Sequence, residues 1–124
     1  MARVLAVDDE APILALTKRI LEHAGHEVLE ATGGEAALRM LGETEIDLLI
    51  TDLVMPGLDG LELIRLVRQR LPHLPIIAVS GGERMGPGTL LGPAGHLGAN
   101  RTLAKPFSRQ DLMTAVDELL GARD

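Results

Sequence analysis

The chain has 124 residues, enough for one domain with a real core, and its 46% hydrophobic and 24% charged content is that of a folded domain, not a disordered chain. A net charge of −6 argues against a nucleic-acid surface and suits a bound cation. Cysteine is absent, which excludes disulfides and thiolate metal chemistry, and with Phe107 the only aromatic residue the chain lacks the side chains that stack on flavins or bases.

The N-terminus, Met1-Ala2-Arg3 followed by four apolar residues and three acids, is too short and too acidic for a signal peptide. No apolar stretch approaches the ~20 residues a membrane span needs. No membrane span is expected, and the absence of cysteine fits a reducing, cytoplasmic setting.

Val4–Val7 reads as strand one. Pro12 suits the first turn of a helix, and Ile13, Leu16 and Ile20 give that helix an inward stripe that ends at Gly25. His26–Ala31 alternates enough to be an edge strand. Thr32 with Glu35 has the spacing of a capping box, and Ala37, Met40 and Leu41 form the buried face of helix two. Asp47–Thr51 is strand three, closed by Asp52, and Leu53-Val54-Met55-Pro56-Gly57 cannot continue it. Helix three runs from about Gly60 to Arg70 and is stopped by Pro72 and Pro75. Ile76–Val79 is strand four, and Leu103-Ala104 with its flanks is a short strand five. Ser108 and Asp111 cap the last helix, whose Leu112, Ala115, Val116 and Leu119 recur at helical spacing.

Short apolar runs alternating with helical periodicity imply βαβ units and an α/β fold. The expected architecture is a doubly wound, five-stranded parallel sheet of order 2-1-3-4-5, flavodoxin-like, with helices on both faces. Residues 81–100 interrupt the regularity with seven of the 14 glycines plus Pro87 and Pro93. Proline in mid-helix costs about 3 kcal/mol, so two readings stand there: a long loop with a short helix from Pro93, or a mobile surface for a partner.

The chemistry gathers at strand tips. Strand one ends in Asp8-Asp9-Glu10, strand three in Asp52, strand four in Ser80 and strand five in Lys105-Pro106. Open α/β sheets hold their ligands at that edge. Strands one and three are neighbours in the expected order, so Asp8, Asp9 and Asp52 should converge, and three close carboxylates repel unless a cation lies between them. Hard oxygen ligands with open water positions suit Mg²⁺ better than zinc or copper. Phosphoryl transfer needs a nucleophile in line with a departing group and cations to neutralise the equatorial oxygens, and a carboxylate such as Asp52 can supply the nucleophile.

These pieces resemble the receiver domain of two-component response regulators. The resemblance rests on Val7-Asp8-Asp9-Glu10, on Thr51 to Gly57 with Asp59-Gly60, on Ser80 and on Lys105-Pro106-Phe107, in that order along the whole chain. It implies that Asp52 is the phosphoacceptor, that Asp9 binds Mg²⁺ directly and Asp8 mainly through water, and that the backbone carbonyl of Val54 is a further ligand. It implies that Ser80 is the switch hydroxyl, that Lys105 pairs with Asp52 at rest and with the phosphoryl group afterwards, and that the bond to Pro106 is cis. The donor would be a phosphohistidine on a sensor histidine kinase or a histidine phosphotransfer protein. The chain would accept phosphate and lose it again but turn over no external metabolite.

The chain departs from the family at Thr102, where an aromatic switch residue is usual. The expectation is therefore that activation is read through residues 81–100 and the strand-five region by a downstream protein. A stand-alone or excised receiver spanning 1–124, without an output domain, is expected. The alternatives are a degenerate receiver used as a docking module, a haloacid-dehalogenase-type Mg²⁺ phosphohydrolase, and a flavodoxin-like binder. The intact acid, hydroxyl and lysine set argues against the first. The second wants an Asp where Val54 stands and a cap domain, and the third wants a phosphate-cradling loop where three acids stand.

Overall fold

The computed structural model describes residues 1–81, 95 and 97–121. In chain order these form β1 (Arg3–Val7), α1 (Ala11–His23), β2 (Glu27–Ala31), α2 (Gly34–Glu43), β3 (Leu48–Asp52), α3 (Gly60–Arg70), β4 (Ile76–Ser80), β5 (Arg101–Ala104) and α4 (Arg109–Gly121). All four strand pairings are parallel, and the sheet order is β2-β1-β3-β4-β5.

The interior strands β3 and β4 are buried at every position, because a parallel sheet covered on both faces has no solvent side. Period-two alternation divides their side chains between two cores. Leu5, Leu49, Ile76 and Ala78 pack with Ala37 of α2 and with Leu63, Ile64 and Val67 of α3. Val4, Ala6, Leu48, Ile50, Ile77 and Val79 pack on the other face with Leu14, Ile20 and Leu21 of α1 and Leu112, Ala115 and Val116 of α4. Phe107 lies partly buried against this second core.

Two local expectations are corrected. The buried residues of α1 are Leu14, Thr17, Ile20 and Leu21, while Leu16 is 44% exposed. Helix α2 starts after Gly33, which caps it in an extended conformation with no side-chain hydrogen bond, so Thr32 lies one residue too early to form a capping box. The box at the start of α4 does form: Asp111 N–H donates to Ser108 Oγ at 3.0 Å, and Ser108 N–H donates to Asp111 Oδ2 at 3.4 Å.

Most of the segment 81–100, including Pro87 and Pro93, lies outside the described residues, and with it the readings placed there. Thr102 is exposed on β5 and opposes Ala78 in the ladder.

Candidate functional site at the C-terminal edge of the sheet

The β1–β3 ladder sets Val7 opposite Thr51, so the residues that follow, Asp8 and Asp52, leave the sheet side by side. Each tip is tied to its neighbour strand: Asp8 N–H donates to the Ala31 carbonyl at 3.1 Å, Leu53 N–H to Val79 at 3.0 Å and Lys105 N–H to Ser80 at 2.6 Å. The backbone thus brings segments far apart in sequence to one edge before any side chain contributes.

Asp8 and Asp52 are nearly buried, at 4% and 5% exposure. Lys105 Nζ lies 2.9 Å from Asp8 Oδ2, 3.2 Å from Glu10 Oε1 and 3.5 Å from Asp52 Oδ1. The lysine therefore belongs first to Asp8, and Asp52 is the most distant of its three partners among the described residues. Among the described residues both Asp52 contacts fall on one oxygen, since Leu53 N–H also donates to Oδ1, at 3.0 Å. Asp8 uses both of its oxygens, with Oδ1 accepting from Glu10 N–H at 2.9 Å.

These surroundings set the charge states. Burial above all, and then the charge of Asp8, push the Asp52 carboxyl from its ordinary 3.8 up to about 6, against the opposing pull of Lys105 and Leu53 N–H. Burial pulls the Lys105 ammonium down, but its hydrogen bond to Asp8 and the charges of Asp52 and Asp8 outweigh that, so its pKa is raised. Among the described residues the site is an excess of negative charge around one cation, Lys105. Carboxylate oxygens of Asp8, Asp9, Glu10 and Asp52 all lie within 4.8 Å of one another, close enough to share a metal ion. Asp9 is exposed, which leaves such an ion open to water.

Ser80 is fully buried, and its Oγ has no hydrogen-bond partner among the described residues. It stands one residue beyond Val79, the ladder partner of Asp52. Val54 is 43% exposed in the loop after β3. The structure therefore brings Asp8, Asp9, Asp52 and Lys105 together and sets Ser80 on the adjoining strand, hydrogen-bonded to none of them.

Sequence reasoning did not foresee the contacts that Glu10, Gly60, Gly81 and Asp59 make around the site. Glu10 reaches Lys105 across 95 positions, a distance no local pattern reports. A Cβ at Gly60 would drive into the Asp52 carbonyl oxygen and come within 2.6 Å of Leu53 Cα, so only glycine lets α3 begin against the site loop. A Cβ at Gly81 would strike Lys105 Cβ and come within 3.0 Å of its Cγ, so Gly81 clears the path the lysine takes. Asp59 fixes the start of α3, its Oδ1 accepting from Glu62 N–H at 3.0 Å.

Among the described residues no helix is long and apolar enough to cross a membrane.

The family model described as "Response regulator receiver domain" matches residues 4–117. The chain is 33% identical over 120 residues to chemotaxis protein CheY of Pseudomonas aeruginosa, covering 94% of each. It is 31% identical to the response regulator receiver protein CpdR of Brucella abortus, covering 98% of that protein. The chain spans only 48% of the alkaline phosphatase synthesis regulator PhoP of Bacillus subtilis, to which it is 32% identical. Among solved structures, a response regulator receiver domain protein from Clostridium thermocellum superposes with TM-score 0.88 at 35% identity, over 99% of this chain and 97% of that one. A CheY-like receiver domain protein from Methanospirillum hungatei superposes with TM-score 0.90 at 29% identity, over 98% of this chain and 95% of that one. With its sheet order, its strand-tip acids and the family match agreeing, the chain belongs to the response regulator receiver domains of two-component signalling.

Proposed function

We propose that this receiver is a Mg²⁺-dependent phosphorylation switch that accepts a phosphoryl group on Asp52. The observation that carries the reading is the set of buried acids Asp8 and Asp52 sharing the Lys105 ammonium at the sheet edge. An Asp52 carboxylate oxygen forms a bond to the donor's phosphorus as the phosphorus–nitrogen bond of a phosphohistidine breaks. The imidazole leaves and takes a proton from solvent, and an acyl phosphate remains on Asp52. Leu53 N–H and Lys105 hold Oδ1, which leaves Oδ2 as the oxygen offered to phosphorus. Lys105 neutralises charge on the transferred group, as phosphoryl transfer requires.

The donor set suits a hard divalent cation: it is all oxygen, and two of its four acids, Asp9 and Glu10, are exposed. Asp8, Asp9 and Asp52, with the Val54 carbonyl, would hold Mg²⁺, which when bound supplies charge neutralisation at the phosphoryl oxygens. Ser80 would donate its hydroxyl to one of those oxygens, giving the buried Oγ a partner it does not find among the described residues. The phosphodonor would be a sensor histidine kinase or a phosphotransfer protein, the output a protein partner, and the setting the cytoplasm. No external metabolite would be turned over, so the chain acts as a switch and not as an enzyme.

The test is incubation with acetyl phosphate and Mg²⁺, read by intact mass. The wild type should gain one phosphoryl group, with no gain in Asp52→Asn or with a chelator. Failure of the wild type with several small donors would favour the docking-module reading.

A further inference from the structure

Glu10 is the N-cap residue of α1, at φ −98° and ψ 107°, yet its side chain caps no helix N–H. Acids at this place usually favour the positive end of the helix. Here the carboxylate is turned away, with Oε1 3.2 Å from Lys105 Nζ. Its backbone is held for this reach by Asp8, whose Oδ1 accepts Glu10 N–H while its Oδ2 takes the lysine.

An ammonium has three protons to donate, and among the described residues Lys105 faces three carboxylates, those of Asp8, Glu10 and Asp52. For the lysine to turn fully to a group carried by Asp52, one of these contacts has to give way. The Asp8 side chain is 6% exposed and the Glu10 side chain 57%. A released Glu10 is resolvated by water, while a released Asp8 would be left as an unpaired buried charge, at a far greater cost.

We propose that Glu10 is a resting-state latch on Lys105, a positioning residue that governs how readily the lysine turns to the phosphoryl group. The inference rests on the phosphorylation reading above. Opening the latch before phosphorylation leaves Lys105 free for Asp52. Exposed ion pairs are worth little, so the effect is modest: acyl phosphate formation about two- to fivefold faster when the contact is removed.

The test uses the whole chain with Glu10→Gln and Glu10→Asp. Gln removes the charge. Asp keeps it but is one methylene too short to hold the lysine. The first readout is the rate of phosphorylation by acetyl phosphate in saturating Mg²⁺. The second needs neither metal nor phosphate: the chain has two lysines, Lys18 and Lys105, so NMR of ¹³C-lysine-labelled protein reports each Cε separately. The latch predicts that both variants phosphorylate faster than wild type and that the Lys105 signal moves in both while Lys18 stays. If Glu10→Asp matches wild type and only Glu10→Gln is faster, Glu10 acts merely by repelling the donor, and the latch is overturned. If the wild type phosphorylates but neither variant differs in rate or Lys105 signal, the latch alone fails. If the wild type takes no phosphoryl group, the phosphorylation reading fails and the latch with it.

Discussion

Replacing Asp52 with Asn should stabilise the fold near neutral pH while destroying the proposed acceptor. Asp52 stands 5% exposed beside Asp8, and its carboxyl is raised from 3.8 to about 6 in the folded state. Between those values the folded chain binds more protons than the unfolded chain. Stability therefore falls as pH rises from about 3.8 to about 6 and stays lower above that. The full rise corresponds to about 3 kcal/mol, and solvent at the rim of the site screens it to about 1–2 kcal/mol. Asn at this position does not titrate, so the variant should melt about 4–8 °C above wild type at pH 7.5. The gain should vanish below pH 4. Far-UV circular dichroism in chelator is the readout, since the chain has no Trp or Tyr. An Asp52→Asn variant no more stable than wild type at pH 7.5, or one with the same advantage at both pH values, would refute the reasoning.

Gly81→Ala should push Lys105 out of line, because the added Cβ meets the lysine stem. The expected result is a loss of about 1–3 kcal/mol of stability and phosphorylation slowed by up to about a hundredfold, and a variant matching wild type in melting and in rate would contradict it. Arg68→Ala should loosen the far end of the sheet. Arg68 donates to the Leu71 and Pro72 carbonyls, each at 2.9 Å, to the Gly98 carbonyl at 2.8 Å and to Asn100 Oδ1 at 3.3 Å. The expected cost is about 1–3 kcal/mol with faster amide exchange at Asn100 and Arg101, and unchanged melting and exchange would count against this role.

The strand order and the strand-tip residues were legible because they rest on strong local signals. Apolar runs of strand length, broken by Pro and Gly, place Asp8, Asp52, Ser80 and Lys105 where chemistry collects. The misreadings have local causes too. Thr17 sits in the buried stripe of α1, and a polar residue there disguised the register, so Leu16 read as inward. Thr32 and Glu35 have capping-box spacing, but the helix starts after Gly33. What sequence could not show was long-range sharing of one cation. The expected resting pair was Lys105 with Asp52, yet Asp8 at 2.9 Å and Glu10 at 3.2 Å come closer than Asp52 at 3.5 Å. Nor does composition tell which of 14 glycines has a neighbour pressed against it, as Gly60 and Gly81 do.

The central claim is that Asp52, and no other acid of the cluster, carries the phosphoryl group. Borohydride reduces an acyl phosphate to the alcohol, converting a phosphorylated aspartate to homoserine. The phosphorylated chain, reduced and mapped by tandem mass spectrometry, should show homoserine at position 52 with Asp8, Asp9 and Glu10 intact. Reduction at Asp8, Asp9 or Glu10 with Asp52 untouched would contradict the account.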